Sequence, residues 1–336
     1  MELASVSLVG CSAAHRTILE RLARFAAIDA EILITGSTGT GKELYARYVH
    51  HHSPRAKAAF VPVNCGAIPD SLFENELFGH VGGAFTGAQP QSEGLAAAAE
   101  GGTLFLDEID SLSLPGQVKL LRFIQEKEYR RLGESRIRRA NIRFIAATNT
   151  DLVSAVQAGL FREDLFFRLR VIPIEVPPLW KRPEDIRPLV EEFLHRYAEL
   201  YGLPAATLSE SAWDRVQSYT WPGNVREVEN CVQYLTCLQL DHPILAEELP
   251  LLSIEEEEIG TAMTASTANV SFQRSKRELV NLFERGYLEE ALRRSKGNIA
   301  EAARASGKAR RAFFELMRKH GVKAVQSNCI NRTQDA

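Results

Sequence analysis

The stretch Gly36-Ser37-Thr38-Gly39-Thr40-Gly41-Lys42-Glu43 decides how the rest of the chain is read. It follows an apolar run, Ile32-Leu33-Ile34-Thr35, of strand character, and opens into Leu44-Tyr45-Ala46-Arg47-Tyr48-Val49, which has helical spacing. Strand, glycine loop and helix in that order is how a phosphate-binding loop is built. The glycines let successive N–H groups turn inward, the helix N-terminus adds partial positive charge, and Lys42 reaches the outer phosphates. A plain structural turn is the alternative. Ser or Thr is expected after the lysine, to hold magnesium, and Glu43 stands there instead. Either the metal is held from elsewhere or the loop belongs to a subfamily with its own solution.

Working outward, 336 residues point to two or three domains, and 45% hydrophobic with 25% charged residues is ordinary for a globular chain. No apolar run reaches membrane-span length and residues 1–10 lack a signal-peptide pattern, so the chain is expected in the cytoplasm. Cys11, Cys65, Cys231, Cys237 and Cys329 are scattered and odd in number, which suits free thiols in a reducing compartment. His50-His51-His52 has no Cys or carboxylate nearby at ligand spacing, so a metal-free helix end is expected. The net charge of -3 hides an asymmetry: from residue 272 onward 15 Lys and Arg face 7 Asp and Glu, a net of +8, while the preceding part carries -11. A basic tail on an acidic body suggests contact with nucleic acid.

Residues 8–27 read as an amphipathic helix with Ile18, Leu22 and Phe25 at helical spacing. A strand over 60–64 ends in Asn64, which either faces a ligand at the open end of a parallel sheet or closes a turn. A helix follows over 71–78. Residues 79–88 are glycine-rich around Phe85 and read as an exposed loop built to touch another molecule. Gly102-Thr103-Leu104-Phe105-Leu106-Asp107-Glu108 is a buried strand ending in two acids. Asp107 can hold magnesium directly or through water and Glu108 can polarise an attacking water; an N-cap role for Asp107 is the bland alternative. A helix over 117–126 precedes a strand over 142–149 that ends in Thr148-Asn149, suited to sensing a terminal phosphate. Arg162 and Arg168 are either surface ion-pair partners or donors of charge to a neighbouring subunit. After a fifth strand over 171–176, helices are expected over 186–201, 210–219 and 224–240, with Asn224 capping the last. Arg226 in its first turn opposes the helix dipole and hints at a bound anion. Residues 253–271 read as a linker; helices over 279–294, 298–305 and 309–319 then form a helix-turn-helix pattern carrying Lys308, Arg310, Arg311, Arg318 and Lys319.

Taken together these residues resemble the bacterial enhancer-binding proteins, the AAA+ activators of sigma-54 RNA polymerase. Gly83-Ala84-Phe85-Thr86-Gly87-Ala88 matches that family's sigma-contacting loop letter for letter, and Glu43 is usual at its position there. The resemblance implies an α/β AAA+ P-loop ATPase, a parallel sheet between helices, over 1–178. A helical lid over 179–252, a flexible linker over 253–271, a small all-α Fis-type helix-turn-helix domain over 272–323 and a disordered tail over 324–336 complete it. It implies ATP and Mg2+ as cofactors, with residues 36–43 and Lys42 on the phosphates. Asp107 and Glu108 become the Walker B pair and Asn64 a switch partner of Glu108. Thr148 and Asn149 match the first sensor, Arg162 and Arg168 the arginine fingers of a ring that is usually a hexamer, and Arg226 the second sensor. Phe85 and Thr86 would contact sigma-54 in the polymerase holoenzyme, while dimeric helix-turn-helix domains hold enhancer DNA. The sequence departs from the family in two places. Gly94-Leu95-Ala96-Ala97-Ala98-Ala99 stands where a larger aromatic and acidic pair is usual, which implies weaker or rerouted coupling to the loop, and no receiver or sensing domain precedes the ATPase, which implies control by a separate protein or by expression. The rival reading is a DNA-binding regulator whose ATPase controls oligomerisation without touching sigma-54; a helicase loader would give the Phe85 loop no purpose.

Overall fold

The structure, a computed structural model, describes residues 8–83 and 91–251, together with Leu292, Ser295, Ile299, Ala302, Arg304, Phe313, Met317 and Arg318. Ala84, Phe85, Thr86, Gly87, Ala88, Lys308, Arg310, Arg311 and Lys319, all singled out by sequence, lie outside the described residues. The chain divides into a unit over 1–251 and a second over 252–336.

Seven strands are described: β1 (Ile32–Thr35), β2 (Phe60–Asn64), β3 (Thr103–Asp107), β4 (Glu128–Tyr129), β5 (Arg138–Arg139), β6 (Arg143–Thr148) and β7 (Ile172–Glu175). Five form one parallel sheet in the order β2-β3-β6-β1-β7, and β4 with β5 makes a short antiparallel hairpin. The inner strands are apolar on both faces, as a sheet covered by helices on both sides requires. The outer strands β2 and β7 carry Pro62 and Pro173, tolerated at edges because proline lacks an N–H for the ladder.

Period-two alternation sorts the strand residues between two cores. Leu33, Leu104, Leu106, Phe144 and Ala146 point to one, which is closed by α3 (Asp70–Phe78), α4 (Gly94–Ala98), α5 (Leu114–Glu126), α6 (Leu152–Gln157) and α7 (Glu163–Leu169). Ile32, Ile34, Phe105, Ile145 and Ala147 point to the other, against α1 (Ala13–Ala26) and α2 (Lys42–His51). A third core, around fully buried Trp221, belongs to the lid and gathers α8 (Ile186–Tyr201), α9 (Glu210–Ser218) and α10 (Asn224–Leu238). In the second unit Leu292, Ala302, Phe313 and Met317 are buried, while Arg304 and Arg318 are exposed.

The β4–β5 hairpin, α4 and α6 were not anticipated by sequence. Strands of two residues and helices of five or six are too short to show a period. Among the described residues no helix is long and apolar enough to cross a membrane.

Candidate active site

A parallel sheet delivers its strand ends to one edge, and the polar residues singled out by sequence lie there. β1 runs into the glycine loop, β3 ends at Asp107, β6 at Thr148 and β2 at Asn64, whose register partner is Asp107. Gly39 and Gly41 take φ of 78° and 90°, left-handed values that favour glycine. At Gly39 a Cβ would stand 2.2 Å from the Gly223 carbonyl oxygen, so the lid reaches the loop too closely for any side chain. α2 begins at Lys42, and its Nζ donates to the carbonyls of Gly36 (2.8 Å) and Ser37 (3.2 Å).

The electrostatics of this edge are unbalanced in a useful way. Burial pushes the Lys42 ammonium below its ordinary pKa; Asp107, Asp110 and Glu108 oppose that shift, while Arg226 adds to it. Burial likewise raises the Asp107 carboxyl, against the Glu108 N–H that donates to it at 3.0 Å and against Lys42. Glu108 has φ of 52°, in the left-handed region. Its Oε2 lies 2.6 Å from the point a Cβ on Gly66 would occupy, and Asn64 Oδ1 lies 3.3 Å from the same point. Both oxygens therefore lie over Gly66, where a larger residue would not fit.

The expected site residues do not all behave alike. Asn149 donates from Nδ2 to Thr38 Oγ1 at 2.8 Å and so touches the loop. Thr148 is buried, and its hydroxyl donates to Asp110 at 2.5 Å. Asn64 accepts at Oδ1 from Gly66 and Ala67 N–H (2.8 and 3.1 Å), closing a turn. The turn reading of Asn64 is thus observed. Glu43 is occupied by Arg47, one turn along α2, at 2.6 Å. Arg162 is bidentate to Asp164 at 2.7 and 3.1 Å; Arg168 lies near Lys127, whose pKa is lowered chiefly by burial and only in smaller part by the Arg168 charge. Neither arginine joins Gly36, Ser37 and Asn149 around the cleft beside the loop, which is lined instead by Phe166, Arg170 and Glu175.

Asn224 does not cap α10: that position is Gly223, and Asn224 sits at φ 54° with its amide spanning Leu179 N–H and Thr38 C=O. Polar residues ahead of a helix are usually caps, and only the tertiary contact overrides that reading. Sequence reasoning also missed Arg182 and Asp185, which are 2% and 0% exposed beneath the loop. Charges ahead of a helix normally stay in water, so no local signal marked them.

The donor set fits a nucleotide and a divalent metal. The start of α2, Lys42 and Arg226 supply positive potential for phosphates. Among the described residues no group of three His, Cys, Asp or Glu could hold a metal alone. Magnesium here would rest on Asp107, phosphate oxygens and water, its usual arrangement.

Three family models match successive parts of the chain: "Sigma-54 interaction domain" over 8–175, "AAA+ ATPase lid domain" over 180–266 and "Bacterial regulatory protein, Fis family" over 280–319. The transcriptional regulatory protein ZraR of Klebsiella oxytoca is 44% identical over 312 residues, covering 93% of this chain and 68% of that protein. GlrR of Escherichia coli K12 is 41% identical over 307 residues, covering 91% of this chain and 66% of the relative. The chain thus spans about two thirds of the length of these curated relatives. The crystal structure of NtrX from Brucella abortus in complex with ADP has a TM-score of 0.72 at 34% identity, covering 95% of this chain and 70% of that one. NtrX in complex with ATP gives 0.71 at 33%, covering 94% and 69%. By model, by relatives and by fold, this chain belongs to the family of sigma-54 transcriptional regulators that join an AAA+ ATPase domain and its lid to a Fis-type DNA-binding domain.

Proposed function

We propose that the chain is an ATP-hydrolysing activator that binds enhancer DNA and remodels closed complexes of sigma-54 RNA polymerase into open ones. The observation that carries this reading is the convergence of Lys42, Asp107 and Glu108 at one sheet edge, in a chain that matches the sigma-54 interaction and Fis-family models. Residues 36–43, with Lys42 and Arg226, hold the phosphates of ATP. Glu108 orients the attacking water and accepts its proton, and Asn64, which shares the space over Gly66, holds or releases that carboxylate. Asp107 holds Mg2+, which when bound neutralises charge on the transferred phosphoryl group.

Asn149, on Thr38, is the better placed of the two sensor residues; buried Thr148 acts through Asp110. Arg162 and Arg168 serve the neighbouring subunit of a hexameric ring, and Arg162 must leave Asp164 to do so. Residues 83–88 contact sigma-54, with Phe85 and Thr86 at the tip. Lys308, Arg310, Arg311, Arg318 and Lys319 of paired helix-turn-helix domains meet enhancer DNA, which raises the local concentration of the motor at its promoter.

Two variants test this. Glu108→Gln should keep ATP binding and lose hydrolysis by ~10²-fold or more; undiminished turnover would remove Glu108 from its role. Thr86→Ala should keep ATPase activity but fail to form the complex with sigma-54 that wild type forms with ADP and aluminium fluoride. Retention of that complex, or its absence from hydrolysing wild-type protein, would favour the regulator that never touches sigma-54.

A further inference from the structure

The phosphate loop is fastened from behind by the lid. Three consecutive loop carbonyls, those of Thr38, Gly39 and Thr40, each accept a hydrogen bond from a lid residue. Asn224 Nδ2 donates to Thr38 at 2.9 Å, the Arg226 backbone N–H to Gly39 at 3.3 Å, and Arg182 Nη2 to Thr40 at 3.3 Å. A peptide plane carries its C=O and N–H on opposite sides, so holding the Thr38 and Thr40 carbonyls sets where the Gly39 and Gly41 N–H groups point, while the Thr40 N–H, in the plane of the Gly39 carbonyl, donates to the Ser37 carbonyl at 3.4 Å. Two left-handed glycines leave the loop to be held by bonds: Thr40 Oγ1 to the Ser37 carbonyl and Lys42 Nζ to the Gly36 and Ser37 carbonyls act within it, and the three lid bonds add to these.

Each lid donor is itself fixed. Asn224 Oδ1 accepts from Leu179 N–H at 2.7 Å, which sets the amide so that Nδ2 faces Thr38. Arg182 is 2% exposed, donates to the Tyr45 hydroxyl at 3.4 Å and lies 3.5 Å from Asp185. Asp185 in turn accepts from Cys11 and Ser12 N–H, both at 2.7 Å, and from the Ser12 hydroxyl at 2.9 Å. The residues ahead of α1, the lid and the loop are thus one buried polar assembly.

We propose that Asn224 and Arg182 are positioning residues, which hold the loop N–H groups toward the phosphates and couple lid docking to nucleotide affinity. This inference rests on the nucleotide-binding reading of the site. Coupling between binding events is reciprocal, so a nucleotide that needs the loop in this shape also tightens the lid.

The test measures ADP affinity of the full chain by calorimetry, with Lys42→Ala as the control. Asn224→Asp still accepts from Leu179 but, ionised, offers Thr38 no donor; a ~10-fold or greater loss of ADP affinity at pH 8 is expected. Affinity should rise again as pH falls and the buried carboxyl gains a proton to donate, whereas Asn224→Ala should show no such recovery. Arg182→Lys keeps the charge beside Asp185 but not the reach to Thr40, and should weaken ADP ~3-fold or more; its loss should fall on KM for ATP rather than kcat. Wild-type ADP affinity in both variants, while Lys42→Ala has lost binding, would overturn the proposal. Failure of wild type itself to bind ADP would instead overturn the nucleotide reading.

Discussion

The two edges of the sheet both bury charge, and they treat it in opposite ways. Where the strands begin, Arg143 is 2% exposed and donates to the carbonyls of Ala26, Phe25 and Ala30 at 2.8, 2.9 and 3.4 Å. Arg55 beside it bonds both oxygens of Asp29, the Asn141 side chain and the Gly102 and Asn141 carbonyls. Where the strands end, Lys42 rests on two loop carbonyls, burial raises Asp107, and Glu108 is held at a left-handed φ. Charges saturated by fixed partners act as a clasp between α1 and the sheet. Charges left with spare capacity beside an open cleft are free to meet a ligand.

The largest expected effect separates the two edges by activity. Lys42→Ala should reduce ATP binding ~100-fold or more while leaving the melting temperature of the nucleotide-free protein nearly unchanged, since it removes a desolvated charge that supports little packing. A large fall in stability would make Lys42 a clasp like Arg143 and erase the contrast. Calorimetry against thermal melting reads both quantities.

The second effect runs the other way. Arg143→Met should destabilise the ATPase unit by about 3 kcal/mol, because the buried Ala26 carbonyl loses its guanidinium donor, as do the part-buried Phe25 and Ala30 carbonyls, and the α1–sheet clasp is opened. At a temperature where the variant stays folded, its ADP affinity should match wild type. Urea unfolding followed by tryptophan fluorescence measures the loss; an ADP affinity that falls in parallel would join the two edges into one system.

What the sequence disclosed follows the same division. The glycine loop and the Asp107-Glu108 pair are legible because each is contiguous and attached to an apolar strand, so the chemistry and its address stand side by side. The five sheet strands and the lid helices are legible for the same reason: their burial period is written locally. Arg182, Asp185 and Asn224 were not, since partners at Thr40, Ser12 and Thr38 lie more than 130 residues away, and even Leu179, which fixes the Asn224 amide, is 45 residues off. Thr148 and Asn149 are adjacent in sequence, yet alternation at the strand end sends one into the core and the other to the loop. Position alone could not separate them.

The smallest effect tests a residue that belongs to neither edge. His15 is 1% exposed under the lid assembly; its Nδ1 meets the Tyr45 hydroxyl at 2.9 Å and its Nε2 is buried without a hydrogen-bond partner. Burial, the largest cause, and the Arg182 charge lower its pKa below 6.5, against the Asp185 charge and the Leu8 backbone, which favour protonation. A folded-state pKa below the unfolded value means the unfolded chain binds the proton first as pH falls. Stability from this group is therefore complete above about pH 6.5 and declines below it, by up to about 1.4 kcal/mol per pH unit. His50, lowered chiefly by burial, contributes a slope of the same sign, so the two must be separated by mutation. His15→Gln should flatten the fall in stability between pH 6.5 and 5.5 without altering ADP affinity at pH 8. If the slope persists, His15 is already protonated or idle; if ADP affinity drops at pH 8, an incompletely paired group far from the phosphates is nevertheless part of the machinery that holds them.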